Sequence, residues 1–230
     1  MAKRKKTNLI FCAYCRNEIR QCDSQRDHVP PKALFSSPRP SNLVTVRCCE
    51  SCHSDLSDGD EALRSFAALS WGTTASARGL KAVADRAHRR DPWWFAELRE
   101  CAQQSSPIPS PLNNGEELRE IKLSGRIATA IHRTLIRTVR GLLFDHTPLF
   151  DTRTIKFDVF QSKSVNLDQF AEVAHGLGPL RFRKVFGDGA FGAIWDFVAE
   201  DPSSGVMIMS FFGRLNFTVI FGPPGRFEAG

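Results

Sequence analysis

The sequence predicts an α+β protein with three regions: a cysteine-rich segment over residues 1–60, helices over residues 61–146, and an antiparallel β-sheet over residues 147–230. Three observations predict this order. Two C-x-x-C pairs fall in the first region, apolar residues recur at helical spacing in the second, and short apolar runs between turn residues fill the third. A chain of 230 residues with 42% hydrophobic content is long enough to bury a core.

The N-terminal region is predicted to bind one structural zinc ion through four cysteines. Two C-x-x-C pairs, separated by a loop of thirty-three residues, supply Cys12, Cys15, Cys49 and Cys52. Two such pairs complete a tetrahedral thiolate site, and zinc is its usual occupant. Cys48 offers a second register for the later pair, although the two-residue spacer favours Cys49 with Cys52.

The total of seven cysteines is odd, which argues against a disulfide framework. We therefore expect Cys22 to be a bystander and Cys101 to be a buried, unreactive thiol. Around the cysteine pairs, residues 1–57 lack helical periodicity. They are predicted to form short strands, loops and one short helix.

The positive charge of the chain is concentrated at its N-terminal end. Residues 1–54 contain ten Lys and Arg but only four acids, and this excess equals the net charge of +6 of the whole chain. Such a segment favours a polyanionic partner. For the run Lys3–Lys6 alone, a solubilising tail is an equal alternative.

Two helices are predicted in the first half of the central region. Asp58 or Asp60 can cap a helix that ends before Gly72. Asp91-Pro92 then supplies an N-cap and a first-turn proline for the segment PWWFAELREC. Its two tryptophans, Trp93 and Trp94, are expected to pack in the core rather than stack on bases.

A linker or long loop is predicted near residues 105–115, followed by a long amphipathic helix from about Glu116 to Phe144. The buried face of this helix is formed by Ile127, Ile131, Leu135, Val139 and Leu142. Six bases lie within an arc of about 60° at 100° per residue: Arg119, Lys122, Arg126, Arg133, Arg137 and Arg140. This stripe either tracks a phosphate backbone or pairs with acids from elsewhere in the fold.

The C-terminal region reads as an antiparallel meander of strands. The strand segments are TIKFDVF, RFRKVF, AFGAIWDFV, VMIMSFF and LNFTVIF, with a helix expected near LDQFAEVAHGL. Turns are predicted at residues 187–189 and 201–205. The aromatic residues of the sheet are expected in the core: Phe191, Trp195, Phe197, Phe211, Phe212 and Phe217.

Between the cysteine pairs lies Arg26-Asp27-His28-Val29-Pro30-Pro31-Lys32, followed by Asn42 and by His53 directly after Cys52. This arrangement resembles the HNH endonucleases, and within them a bacterial and phage group with a D/E-H-V-P-P-K-x-L-F motif between two zinc knuckles. The resemblance covers about residues 12–60. It implies a ββα-metal module, in which a β-hairpin and a helix grip one catalytic divalent ion. Leu56 departs from the many members that carry Lys there, and a Gly-Gly loop found in other branches is absent.

The resemblance also implies a role for each motif residue. Asp27 and His53 match the ligands of the catalytic ion, and His28 matches the general base. Asn42 matches the asparagine that braces the hairpin loop and orients that base. Because neighbouring strand residues point to opposite faces, Asp27 and His28 can serve one site only if the backbone twists or bulges there.

These residue types suit phosphodiester hydrolysis, which needs a base for the water and a Lewis acid for developing charge. One carboxylate and one imidazole accept several ions: Mg²⁺ is expected, with Mn²⁺, Ni²⁺ and Zn²⁺ as alternatives. The candidate contacts to nucleic acid, DNA in preference to RNA, are Lys32, Arg26, Arg133, Arg137 and Arg140.

The sequence thus predicts a metal-dependent hydrolase, an endonuclease acting on DNA. The rival interpretation is a non-catalytic, zinc-stabilised module that binds nucleic acid. In a third interpretation, residues 116–230 recognise a protein or a particular nucleic-acid structure, and the N-terminal nuclease acts only as the effector of that recognition. The chain shows no apolar run of bilayer length and no secretory signal, so we expect a cytoplasmic protein without a membrane partner. The sequence does not specify the oligomeric state.

Overall fold

The computed structural model describes residues 8–54, 57–69, 92–108, 118–123, 125–162, 180–199, 201–213 and 215–225, together with Asp85 and Arg89. Within them the chain combines helices with antiparallel sheets, which confirms the α+β class. The strands are β1 Leu9–Phe11, β2 Glu18–Arg20, β3 Gln25–Val29, β4 Val44–Cys48, β5 Ser106–Ile108, β6 Leu118–Glu120, β7 Lys156–Ser162, β8 Phe182–Phe186, β9 Phe191–Val198, β10 Asp201–Phe211 and β11 Leu215–Gly222. The α-helices are α1 Glu50–Ser54, α2 Ser57–Leu69, α3 Trp93–Gln103 and α4 Gly125–His146.

Two small hairpins and a short helix form the N-terminal region, as its lack of helical periodicity predicts. Strand β1 pairs with β2, and β3 pairs with β4 in a register that runs from Gln25↔Cys48 to Val29↔Val44. Alternating residues of β4 are buried, so one face of the second hairpin packs inward. Helix α1 begins two residues after β4 ends.

Helices α2 and α3 confirm two predicted helices, with small differences at their ends. Helix α2 begins at Ser57, and its Asp58 carboxylate accepts a hydrogen bond of 2.8 Å from the indole nitrogen of Trp93 on α3. The N-cap of α3 is Pro92, and Asp91 lies outside the described residues. Trp94 is fully buried and Cys101 is buried, as expected.

Helix α4 begins nine residues later than the sequence predicts. Leu118–Glu120 pairs with Ser106–Ile108 as an antiparallel hairpin, so its backbone groups are satisfied across strands instead of within a helix. Glu97 of α3 accepts a hydrogen bond of 2.8 Å from the backbone N–H of Ile127, one of the donors left unpaired at a helix start. The predicted apolar face is buried as expected. The rest of the predicted linker, residues 109–115, lies outside the described part of the chain.

The C-terminal strands form a five-stranded antiparallel sheet in the order β7-β11-β10-β9-β8. Strands β8 to β11 follow one another as the predicted meander, and β7 joins it beside β11. The turn at residues 187–189 is present, and all three residues have positive φ. The predicted turn at 201–205 is wrong, because these residues belong to β10 and form a bulge between Asp201↔Val198 and Gly205↔Phe197. Segment LDQFAEVAHGL lies outside the described residues.

One hydrophobic cluster joins the N-terminal hairpins, the helices and the C-terminal sheet. Five of the six aromatic residues predicted in the core are buried, and Phe197 is partly buried against it. Helix α4 contacts α2, α3, β3, β4 and β7, so it is the element that connects the regions. No helix in the described ranges is both long and apolar enough to cross a membrane.

Gly141 allows α4 to lie close to the strand that carries Asp27 and His28. A Cβ atom at this position would lie 2.5 Å from Cγ2 of Val29, which is 1% exposed. We expect Gly141→Ala to destabilise the fold by about 1–3 kcal/mol, although alanine is the better helix former by about 1 kcal/mol. Denaturant unfolding measures this difference.

The exposed helix position His132 supplies the control, since His132→Ala should change stability by less than about 0.5 kcal/mol. Val29→Ala removes both methyl groups that a new Cβ would meet, so the double variant should be more stable than the two single effects predict. Additive effects would show that the close approach does not limit this position.

Candidate metal centres

Four cysteines from the two C-x-x-C pairs converge at the start of the N-terminal fold. The sulfur atoms of Cys12, Cys15, Cys49 and Cys52 all lie within 4.8 Å of one another. The Cys15 and Cys49 sulfurs are 3.8 Å apart, which matches the separation of about 3.8 Å that Zn–S bonds of 2.3 Å impose on a tetrahedron. The backbone N–H of Cys49 also points to Cys12 Sγ at 3.4 Å. The cluster could therefore hold a metal ion such as zinc, as the sequence predicts.

Burial and hydrogen bonds shift the pKa values of three of these thiols in different directions. Burial raises the pKa of Cys52, and burial likewise raises that of Cys15. At Cys49 burial acts in the same direction, but hydrogen bonds from Ser51 and from the backbone and side chain of Cys52 outweigh it and lower the pKa to about 6. Of Cys15, Cys49 and Cys52, Cys49 therefore loses its proton most easily.

A second group of metal-binding atoms lies beside the first. One carboxylate oxygen of Asp27, the sulfur of Cys48 and one imidazole nitrogen of His53 lie within 4.8 Å of one another. Strand β3 supplies the carboxylate, the last residue of β4 the thiol, and α1 the imidazole. The structure therefore brings together Asp27 and His53, which the resemblance assigns to one ion, and adds Cys48.

The carboxylate of Asp27 is fixed from several sides. The buried hydroxyl of Tyr14 donates to Oδ2 at 2.5 Å, and the backbone N–H of His28 donates to Oδ1 at 2.9 Å. The guanidinium of Arg137 lies 3.5 Å from Oδ2. Burial and the neighbouring charge of Asp27 raise the pKa of Tyr14, so the hydroxyl keeps its proton and acts as a donor.

Arg137 lies between two acids instead of in solvent. Its side chain is 5% exposed and forms a second ion pair with Asp60 of α2, which also accepts a hydrogen bond from Thr134 at 3.4 Å. Burial raises the pKa of Asp60 to about 7, against the lowering effect of Arg137. This placement corrects the expectation that Arg137 contacts phosphate, since acids from elsewhere in the fold already neutralise it.

His28 lies on the opposite face of the hairpin from Asp27. The β3–β4 pairing is regular from Gln25 to Val29. It lacks the bulge that would turn Asp27 and His28 toward one site. His28 is half-buried, and its Nδ1 lies 3.4 Å from Oγ1 of Thr45, its cross-strand partner. It is not a member of the Asp27, Cys48 and His53 group. When Nδ1 donates to Thr45, Nε2 carries the free lone pair.

Basic and polar side chains share this outer face with His28. Arg26 pairs directly with Arg47 across the hairpin, and like charges in such pairs are unfavourable without a counter-charge. Lys32 is exposed just beyond β3. Asn42 is exposed in the turn before β4 and makes no side-chain hydrogen bond to another described residue. The predicted bracing role therefore has no counterpart here, and Thr45 is the residue that contacts His28.

The predicted stripe of six bases is shortened by the later helix start. Arg119 and Lys122 precede α4, and Arg137 is buried. Arg140 is partly buried with its guanidinium 5.2 Å from the ring of Phe157, and burial lowers its pKa against the raising effect of the nearby Cys52 and Cys15. Arg133 is exposed and lines an open cavity of about 650 Å³. Of the three arginines predicted on α4 to contact nucleic acid, Arg133 alone is exposed in the described structure.

Two residues of these centres were missed from the sequence. Tyr14, the only tyrosine of the chain, lies inside the first C-x-x-C pair and holds Asp27. Cys48 shares the buried phase of β4 with Val44 and Val46. The alternation of β4 could have placed Cys48 on the same face as Asp27, whereas nothing local indicates the contact of Tyr14.

Searches with the chain against protein-family models, curated proteins and solved structures found no match.

Proposed function

We propose that this chain is a metal-dependent endonuclease of the HNH type that hydrolyses phosphodiester bonds, with DNA as the preferred substrate. The observation that carries the proposal is the convergence of Asp27 and His53. These residues are far apart in sequence, yet their ligand atoms lie within 4.8 Å of each other, next to the four-cysteine cluster. This is the pair to which the resemblance assigns the catalytic ion.

The donor set fits a divalent ion. Asp27 is held in one orientation by Tyr14 and by the backbone of His28, and such support of a ligand strengthens metal binding. His53 is exposed, so the group is accessible from solvent. An ion held there would supply Lewis-acid stabilisation of charge on a phosphoryl oxygen.

His28 is the general base in this proposal. Its Nδ1 contacts Thr45 in the unbound hairpin, and its other ring nitrogen is able to take a proton from the attacking water. Arg26 and Arg47 supply positive charge on the same hairpin, and Lys32 is exposed just beyond β3. Such charge suits a phosphate backbone. Because His28 and Asp27 occupy opposite faces of a regular hairpin, the His28 side chain must turn around the strand edge when substrate binds.

A second candidate function is favoured by that separation of His28 from the metal-binding group. A protein that binds nucleic acid without cutting it needs the basic outer face of the hairpin and the four cysteines, but no base near an ion. The directly paired Arg26 and Arg47 are compatible with both functions. Cleavage and binding therefore have to be measured separately.

The test is cleavage of supercoiled plasmid by the purified protein with Mg²⁺, Mn²⁺, Ni²⁺ or Zn²⁺, alongside binding to a labelled duplex. We expect metal-dependent nicking by the wild type. Asp27→Asn and His53→Ala should reduce nicking to background while retaining binding, because each removes one ligand. Cys22→Ser, at an exposed position outside both groups, is the matched control. If the wild type binds the duplex but nicks plasmid with none of the four ions, the binding module is favoured. If it neither binds nor nicks, both functions are rejected.

A further inference from the structure

We propose that Cys48 is a third protein ligand of the ion bound by Asp27 and His53, and that this site therefore selects a thiolate-binding ion such as Zn²⁺ over Mg²⁺. The inference deepens the proposed function at the same site. It concerns the chemistry of the metal, however, and can be tested without cleavage.

The hairpin register places Cys48 beside Asp27. Asp27 pairs with Val46, and Cys48 is two residues further along the same strand. Residues two apart on a strand share a face, so the Cys48 and Asp27 side chains are diagonal neighbours on the buried face. Helix α1 then returns His53 to this point, within 4.8 Å of both ligand atoms.

The surroundings favour a cation at this point. Cys48 is fully buried, and the one hydrogen bond that its thiol makes to the described residues is a weak contact of 3.9 Å with the carbonyl oxygen of Gln25. Arg137, which lies 3.5 Å from Oδ2 of Asp27, also forms an ion pair with Asp60 on its other side. A carboxylate and a thiolate at Asp27 and Cys48 would then match the two charges of a divalent ion.

The type of ligand determines which ion fits. Mg²⁺ prefers six oxygen ligands and keeps several waters, whereas sulfur ligands select softer ions. One oxygen, one sulfur and one nitrogen would fill three of four tetrahedral positions around zinc and leave the fourth open, as catalytic zinc sites do. The neighbouring four-cysteine cluster has no open position, which is the arrangement of structural sites.

The test is the zinc content of the protein after dialysis against buffered zinc, followed by competition with excess Mg²⁺. We expect two zinc equivalents per chain in the wild type and in Cys22→Ser, and one in Cys48→Ser. His53→Ala should also lose one equivalent, and its exposed position avoids disturbing the core. Excess Mg²⁺ should not displace the second equivalent. Cobalt substitution gives an independent readout. Absorption from thiolate-to-cobalt charge transfer should be weaker in Cys48→Ser than in the wild type, and it should be unchanged in Cys22→Ser.

One equivalent in the wild type, or two equivalents in Cys48→Ser, would overturn the inference. Its failure can be distinguished from failure of the nuclease proposal. Plasmid nicking supported by Mg²⁺ in a protein with one zinc equivalent would retain the nuclease and reject the thiolate ligand. Two zinc equivalents in the wild type, with one of them lost in Cys48→Ser and in His53→Ala, but no nicking under any ion, would retain this site and reject the nuclease.

Discussion

Replacing His28 with alanine is expected to slow DNA cleavage by about 10²–10⁴-fold, the usual contribution of a general base. The imidazole of His28 is half-buried on the outer face of β3 and contacts Thr45 through Nδ1. Its removal leaves the buried face of the hairpin intact, so the variant should fold and bind DNA like the wild type. The measurement is the single-turnover rate of plasmid nicking, with duplex binding and thermal unfolding measured on the same sample.

Two matched variants make this result specific. Thr45→Val removes the hydroxyl next to Nδ1 but keeps the imidazole, so it should slow cleavage much less than His28→Ala. His132→Ala removes an exposed histidine of α4 and should leave the rate unchanged. A His28→Ala protein that nicks plasmid at the wild-type rate would disprove the proposed role of His28.

Cys12→Ser is expected to abolish zinc binding by the four-cysteine cluster and to unfold residues around the first two hairpins. Structural zinc sites in small peptides contribute roughly 10–16 kcal/mol of apparent binding free energy, and that energy is folding energy. Cys12 is fully buried, and the strands β1 and β2 that surround its loop have only three residues each. So small a hairpin has little apolar surface of its own to replace the metal.

Zinc content and hydrogen exchange over residues 8–54 measure this effect. We expect Cys12→Ser to lose the zinc equivalent of the cluster and the exchange protection of Gln25–Val29 and Val44–Cys48. Cys22→Ser should retain both, since Cys22 is exposed and outside the cluster. If Cys12→Ser keeps its zinc and melts at the wild-type temperature, the cluster is not a structural site.

Local patterns in the sequence predicted the elements whose causes are local. Each C-x-x-C spacer places two cysteines close together, Cys12 with Cys15 and Cys49 with Cys52. The predicted four-cysteine cluster is present. The apolar runs after Lys156 likewise appear as strands of one sheet. Such features depend on neighbouring residues, which a sequence displays directly.

The errors arose where a distant partner decides the structure. Leu118–Glu120 falls within the predicted long helix, but pairing with Ser106–Ile108 makes it a strand. Arg137 has the spacing of an exposed stripe, but Asp27 and Asp60 draw it into the interior. The turn composition of 201–205 was misleading because β9 extends alongside it and converts it into a bulge. None of these partners can be identified from spacing alone.

Because of the ion pairs of Arg137, the N-terminal segment depends on α4 for the geometry of its metal-binding residues. The Arg137 side chain of α4 forms ion pairs with Asp27 of β3 and with Asp60 of α2. Asp60 lies seventy-seven residues before Arg137 in the sequence. An excised fragment of residues 1–60 would expose Asp27 to solvent and lose the helix that covers Val29. Grafting the cysteine-rich segment onto another protein would therefore transfer its metal-binding residues without the scaffold that orients them, and a functional graft would have to include α4.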